Sequence, residues 1–581
     1  MKLKKIVALL LSVVTVGSCL SFSACRKDDV IKDGKTVNIQ ISKSGYGEEY
    51  IREIATAFET AYAAEGYKIN ILEPDPNFGT TNALNAMRLS DASGYDIVFP
   101  GSVFIEDVVD HVEFGTIVEP LDDIYALPAI DFNGNDESKT LEQKLERLVS
   151  NESGKRTICT PDGKYWGFAR VGSVRGVVTN TKALEANGLD FEDDYAYTTD
   201  QFVANMHTIS AKGDMRPMIW GGDNAATYSV GTVLTSLRQI MTEEEYQEFS
   251  TFYGMYEKAG NKIPADGWKY RIYHDALQPT MEFLMETWDT NNAMEGSYSM
   301  RHDDAHGYLM LGDKAVYMFD GEYFYNEVRV NYPEYLDDIR MMNRPVSSYL
   351  GLRLDLCGTD HDVGYGKNVN AHCAKCDEIL ALGCKMYDED KTATEIKTAL
   401  QALNANITDG QVSEIMRARG VAYGGPASGY IMKCSDVKDI AKLFLRMLAS
   451  DDAAEVYAKS GMLSAFSTAG LSDDVDEFVK DCFRIDRQWT SIGDTHGDPY
   501  APASRMGFVL SPYSATIGKN VNDFMSDKDR DYGILAKDCL ATIVETEHSK
   551  NWANWITTKA SLAVGENMFE GYTGNEIPDV K

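Results

Sequence analysis

Four stretches of this chain set flat aromatic side chains beside groups that donate or accept hydrogen bonds. Tyr46 stands with Glu48 and Glu49, Trp166 with Arg170, Trp220 with Asp223 and Asn224 in WGGDN, and Tyr323 with Asp320 and Glu322 in FDGEYF. Ser102 follows the apolar run YDIVF, and Tyr423 and Tyr430 flank a glycine-rich stretch, Gly424 to Gly429. A ring laid on C–H surface gains about 25 cal/mol per Å2, so one stacked aromatic contributes little more than about 1 kcal/mol. Orientation must come from the polar groups, each of which needs a partner once buried. The same residues also offer one conceivable acid pair, Asp320 with Glu322. Glycoside hydrolysis needs two carboxyls at a set separation, whereas neighbouring acids on a solvated turn are the plainer reading.

Other candidate chemistry is weaker. Cys373-Ala-Lys-Cys376 has the spacing of half a zinc or redox site, with Cys357 and Cys384 nearby. A second close pair is missing, so no metal is assigned; a disulfide or buried thiols are the alternatives. Asp527 to Asp538 resembles a calcium loop, but its glycine falls one place late and its last ligand is Asp; it reads as a solvated acidic turn. The motifs Gly-x-x-x-x-Gly-Lys-Ser/Thr, His-Glu-x-x-His and Gly-x-Ser-x-Gly are absent. The last two absences remove two hydrolase classes.

A net charge of −33 over 581 residues repels phosphate backbones and anionic headgroups, which argues against nucleic acid and a peripheral membrane surface as partners. The leader has three lysines in its first five residues, then an apolar run to Leu20, then small residues, the order of an export signal. Ser23-Ala24-Cys25 resembles a bacterial lipobox, with Cys25 as the acylated residue and Cys19 as a second fit. The charged run after Cys25 favours Cys25. No later apolar run is long enough to span a bilayer.

The elements that must position these groups alternate. Thr36 to Ser42 reads as a strand with Val37, Ile39 and Ile41 on one face. Ile51 to Tyr62 reads as an amphipathic helix, Tyr67 to Leu72 as a strand, Asn82 to Leu89 as a helix and Tyr95 to Phe99 as a buried strand. This is the rhythm of an open α/β sheet, whose ligands sit beyond the carboxyl ends of strands. Downstream, Tyr165 to Asn180 gives a turn, a crossing and a strand. Thr198 with Gln201 predicts a capping box ahead of a helix through Phe202, Met206 and Ile209. Ala315 to Phe319 predicts a strand, and Ser435 and Ser450 each open a helix.

In this order the pieces resemble the extracellular solute-binding proteins of family 1, lipoprotein receptors of carbohydrate ABC transporters. The resemblance rests on the leader and on IREIATAFETAYAAEGYKINI, SGYDIVFPG, YWGFARVGSVRGVVTNTKALEANGL, WGGDNAAT, MLGDKAVYMFDGEYF and SDVKDIAKLFLRMLASDDAAEVYAKSGML. Two departures stand out: Val178-Thr-Asn-Thr-Lys182 where the family has Tyr-Asn-Lys, and a longer chain. The resemblance implies a two-lobe, type II periplasmic-binding-protein-like α/β fold with crossing hinge strands. It places a signal peptide at 1–24, a tether at 25–35 and a first lobe at 36–170. A second lobe follows at 171–424, with an insertion around 349–421, then a return at 425–470 and a helical tail at 471–581 packing across lobes. It further implies a monomer, lipid-anchored on the outer face of the cell membrane, that captures a sugar by lobe closure and passes it to a permease, with no catalysis and no cofactor. Trp220, Asp320 and Glu322 are then the leading site residues. A peptide or polyamine is the alternative ligand, and a surface glycoside hydrolase the alternative activity.

Overall fold

The computed structural model describes residues 30–491, apart from scattered single positions, two pairs and the stretches 73–79, 89–93, 146–157, 247–274, 364–371 and 423–426. Nine strands form its two principal sheets. They are β1 (Thr36–Ile41), β2 (Lys68–Ile71), β3 (Ile97–Gly101), β4 (Phe168–Val171), β5 (Arg175–Asn180), β6 (Arg216–Met218), β7 (Ala315–Gly321), β8 (Ile339–Met342) and β9 (Ala427–Ile431). The chain divides into two compact units. The first runs through to Lys144 and takes the chain up again over Thr157–Arg170 and Ala427–Val456; the second holds Leu145–Arg156, Val171–Pro426 and everything from Tyr457.

The sheet of the first unit has the order β2-β1-β3-β9-β4. β1 lies parallel to β2 and β3, with Ile39 opposite Ile97 and Ile41 opposite Phe99. β9, which arrives from the far end of the chain, runs antiparallel to β3. Its register shifts between Ser428 and Tyr430. Gly429 occupies the irregularity, where a Cβ would come within 2.3 Å of the Phe99 ring. Only glycine lets the two strands approach there.

All six residues of β1 are buried, the polar Thr36, Asn38 and Gln40 together with Val37, Ile39 and Ile41. Asn38, in the middle of the strand, is satisfied inside. Asp96 is fully buried and accepts from the Asn38 backbone (2.8 Å) and side-chain amide (2.9 Å), and from Ser435 Oγ (2.7 Å). Asn38 in turn exchanges two hydrogen bonds with Ile31, at 2.9 and 2.8 Å. One carboxylate thus joins the entry to β3, the middle of β1 and the segment after β9.

Ser435 is therefore spent on Asp96 and on the Val437 amide, and the following helix starts later than expected, at Lys438–Leu448. Ser450 does cap its helix, accepting from Ala453 N–H at 3.0 Å. Thr198 accepts from Gln201 N–H, but the Gln201 side chain reaches back to Tyr197 N–H, so the reciprocal half of the capping box sits one residue early.

The sheet of the second unit has the order β8-β5-β7-β6, with β5 antiparallel to both neighbours and β6 parallel to β7. β7 runs two residues further than the sequence suggested, through Asp320 to Gly321. The stretch around 349–421 is helical: Tyr349–Arg353, Ala374–Asp388, Ala393–Leu403 and Asp409–Arg419. The last three pack through Ile379, Leu380, Ile396, Leu400, Val412 and Ile415, all fully buried or nearly so. Capping boxes at Thr392/Glu395 and Thr408/Gln411 open two of them. The described part of the tail carries the helix Glu477–Gln488, whose Asp481 clamps Arg340 of β8 at 2.6 and 3.0 Å.

Removing the Asp96 carboxylate leaves the Asn38 backbone N–H and the Ser435 hydroxyl buried without that acceptor, and takes one of the two acceptors of the Asn38 side-chain amide. Asp96→Ala is expected to cost roughly 3 to 5 kcal/mol. Asp96→Asn, which keeps an acceptor of the same shape, should cost clearly less. Equilibrium urea unfolding of the two variants checks the order, and equal losses would contradict it.

Candidate functional site

In the second unit the loop after β6 and the end of β7 bring two of the polar-aromatic clusters onto one helix. Gly221 passes so close to His302 that a Cβ would lie 2.6 Å from the His302 Cα. That approach lets Asp223 Oδ1 accept from His302 N–H at 3.1 Å, with Oδ2 3.8 Å from Nδ1. Four residues on along the helix His302–Leu311, His306 meets the His302 ring edge-on at 5.8 Å. Its Nε2 lies 2.7 Å from Asp320 Oδ2 at the end of β7, and its Nδ1 3.4 Å from Glu327. Asp223, His302, His306, Asp320 and Glu327 therefore form one connected polar line.

Burial works against a charge on His306, but the hydrogen bond and charge of Asp320, with Glu327 beyond, outweigh it and raise its pKa. Burial pushes the Glu327 carboxyl up to about 7 against the pull of His306. Neither histidine nor Glu327 was singled out from sequence; the signal that could have found them is the i, i+4 pair in His302-Asp-Asp-Ala-His306.

Glu322, one turn of chain beyond Asp320, has a different task. It is 1% exposed, and its Oε2 accepts from Val174 N–H at 2.7 Å while its own N–H donates to Val174 O at 3.0 Å. Burial pushes its carboxyl up to about 8, only partly offset by these backbone hydrogen bonds and the Arg175 charge. Arg175 itself lies over the Tyr323 ring, 5.9 Å from its centre.

The leading residues of the sequence reading are interior. Trp220 is 2% exposed and stacked on Trp288 at 4.2 Å with the rings 10° apart; Asp320 is 1% exposed. They are interior because β7 extends through Asp320 and the Trp220 ring turns into the core beside β6. The supposed acid pair is also dispersed, since Asp320 is held by His306 and Glu322 by Val174. Asp223 is exposed and Tyr323 half-buried.

The first unit gives the same contrast. Arg170, at the end of its segment, is wholly buried, donates to Tyr50 OH at 3.0 Å and lies over the Phe99 ring at 5.2 Å. Tyr430 is a core residue of β9; its hydroxyl donates to Val103 O and accepts from Ser428 Oγ, both at 3.1 Å. Trp166 is half-buried against the same cluster, and its indole N–H has no hydrogen-bond partner among the described residues. Glu48 precedes the helix Glu49–Ala61 and pairs with Arg52 at 3.3 Å. Cys25, Tyr46, Ser102, Tyr423 and the acidic loop Asp527 to Asp538 lie outside the described residues, and Asn224 is placed only by its backbone, in the turn Gly222–Asn224.

A cavity of about 490 Å3 in the second unit is lined by none of these residues. Both of its lysines are paired with lining acids, Lys459 with Asp474 at 3.1 Å and Lys480 with Glu477 at 2.9 Å. Among the described residues no helix is long and apolar enough to cross a membrane.

No protein-family model and no curated protein matches the chain. Solved structures do. The chain is similar to the SBP RafE in complex with raffinose, at 12% identity over 87% of this chain and 98% of that one, with a TM-score of 0.48. It is similar to the GacH receptor of Streptomyces glaucescens, solved unliganded and with acarbose, at 11% identity over 88% and 98%, TM-score 0.48. A manno-oligosaccharide specific solute binding protein of Bifidobacterium animalis subsp. lactis, solved with mannotriose, matches at 13% identity over 91% and 98%, TM-score 0.46.

The Glu322 carboxyl, raised from 4.5 to about 8, binds its proton more tightly in the folded chain than in the unfolded one. Its contribution to stability is full below pH 4.5 and is lost as pH rises to about 8. Glu322→Gln should remove that slope, gaining roughly 3 to 5 kcal/mol on the wild type between those limits. Urea midpoints of both proteins across the window test this; parallel profiles would refute it.

Proposed function

We propose that the protein is a receptor that binds a carbohydrate, an oligosaccharide in preference to a single sugar, and hands it to the permease of an ABC transporter. It does so without catalysis or cofactor, as a monomer held on the outer face of the cell membrane by lipid on Cys25. The observation that carries this reading is the threading of the chain. The first unit is left after Arg170 and completed from Ala427, so that a strand from late in the sequence, β9, stands between β3 and β4. That is the path implied by the sequence segments that resemble the carbohydrate receptors.

The polar-aromatic loops support the same reading. Glu48 and Trp166 are the accessible members on the first unit, and Asp223 and Tyr323 on the second; each unit by itself offers a flat face and a hydrogen-bonding edge of the kind a sugar needs. Behind them, Arg170, Tyr430, Asp320, Glu322 and the Trp220–Trp288 stack are the interior that fixes their positions. The dispersal of Asp320 and Glu322 onto separate partners counts against hydrolysis, which would need both acids at one bond.

A thermal-shift screen against mono- and oligosaccharides, peptides and polyamines tests the ligand class. A ligand at a hundred times its Kd stabilises by about 2.7 kcal/mol, a shift of a few degrees in a chain of this size. The expected result is a saturable response to one oligosaccharide series, with the sugar recovered uncut. Silence from every sugar beside a response to a peptide or polyamine would overturn the carbohydrate assignment, and cleaved sugar would overturn the receptor.

Anchoring has its own test. Cys25→Ala is expected to move the protein from the membrane fraction to the soluble fraction, and an unchanged distribution would contradict lipid at that residue.

A further inference from the structure

The cysteines for which the sequence showed no second pair find their fourth partner in a histidine. The side-chain ligand atoms of Cys357, His361, Cys373 and Cys376 all lie within 4.8 Å of one another. His361 Nε2 is 3.2 Å from Cys357 Sγ and 3.4 Å from Cys376 Sγ. Tetrahedral zinc, with Zn–S of about 2.3 Å and Zn–N of about 2.0 Å, requires S···N separations of about 3.5 Å and S···S separations of about 3.8 Å. The cluster is close to that size.

Both halves of the cluster are held by the backbone. Cys373 is the N-cap of the helix Ala374–Asp388, and its Sγ accepts from the Cys376 N–H at 3.5 Å. Thiolate charge at that end is favoured by the unpaired amides and by the helix dipole. The other half is the turn after the helix Tyr349–Arg353. There Asp355 takes a left-handed φ of 49° and its Oδ1 accepts from His361 N–H at 3.1 Å. Asn404, beyond the next helix but one, donates to Leu356 O at 2.8 Å and steadies the same turn. Cys376 is buried and the other three are half-buried, while Cys384 points into the helical core and is fully buried.

We infer that Cys357, His361, Cys373 and Cys376 form a structural zinc site. Three thiolates and an imidazole are a donor set that suits zinc, and four protein ligands fill a tetrahedral shell, leaving no position for a substrate. Binding releases the thiol protons to solvent and gains folding free energy. The ion ties the turn at 355–361 to the start of the helix Ala374–Asp388, and so fastens the three-helix packet to the chain that enters it.

The test uses the detergent-solubilised full chain, kept reduced, stripped with chelator and reloaded with Zn2+ or Co2+. The expected result is about one zinc per chain by elemental analysis, and with Co2+ the thiolate-to-cobalt absorption of a tetrahedral site. Cys376→Ser and His361→Ala should lose the bound metal, whereas Cys384→Ala should keep it. The cobalt spectrum of the unmutated chain decides the matter even where a variant fails to fold. Failure of the reduced wild type to take up either metal, or a disulfide between two of these three thiols that persists with zinc present, would overturn the assignment.

Discussion

The first sheet cannot be completed until the chain has reached residue 427. β9 fills the place between β3 and β4, so those two strands, although both are made early, have no common neighbour until then. Everything in Val171–Pro426 must be spanned before that strand can insert. The entropic cost of closing so long a path grows only logarithmically with its length, so the arrangement is affordable at equilibrium. It is slow to reach, because contacts so remote in sequence form late. Most of the second unit lies within that span, and packing of Val171–Pro426 shortens the effective loop, although the helix Glu477–Gln488 joins it only after β9 has been made.

Within that frame, the polar interior sets where accessible side chains stand. Asp223 keeps its place because His302 holds it, and His302 belongs to a helix anchored through His306 on Asp320. Arg170 is fixed by Tyr50 and Phe99 at the point where the chain leaves the first unit. Buried ionisable groups of this kind add little net stability compared with apolar packing. Their value is geometric, since each hydrogen bond has one satisfactory orientation.

Much of the α/β pattern was legible in the sequence. β1, the helix Glu49–Ala61, β2 and the helix Thr199–Lys212 fall within a residue or two of where periodicity and caps put them. What could not be read was which loop-like polar residues were in fact interior. Asp320 and Glu322 look like acids on a turn, because nothing local reveals that β7 extends through Asp320 or that Val174 and His306 wait as partners 148 and 14 residues away. Ser435 carried a good capping signal, but a buried carboxylate competed for its hydroxyl and won. The cysteine cluster was half visible as Cys-x-x-Cys. Its remainder was hidden because Cys357 and His361 come from a separate turn and no motif links them to the helix start.

The clasp between Ile31 and Asn38 has a mechanical meaning. Ile31 exchanges both its backbone hydrogen bonds with one side chain, and that side chain also leans on Asp96, which in turn holds Ser435. A pull applied through the residues before Ile31 therefore does not peel the edge of a sheet. It enters at the middle of an inner strand and is shared at once with the strand beside it and with the segment that returns last. Tension on that end is shared among several hydrogen bonds at once.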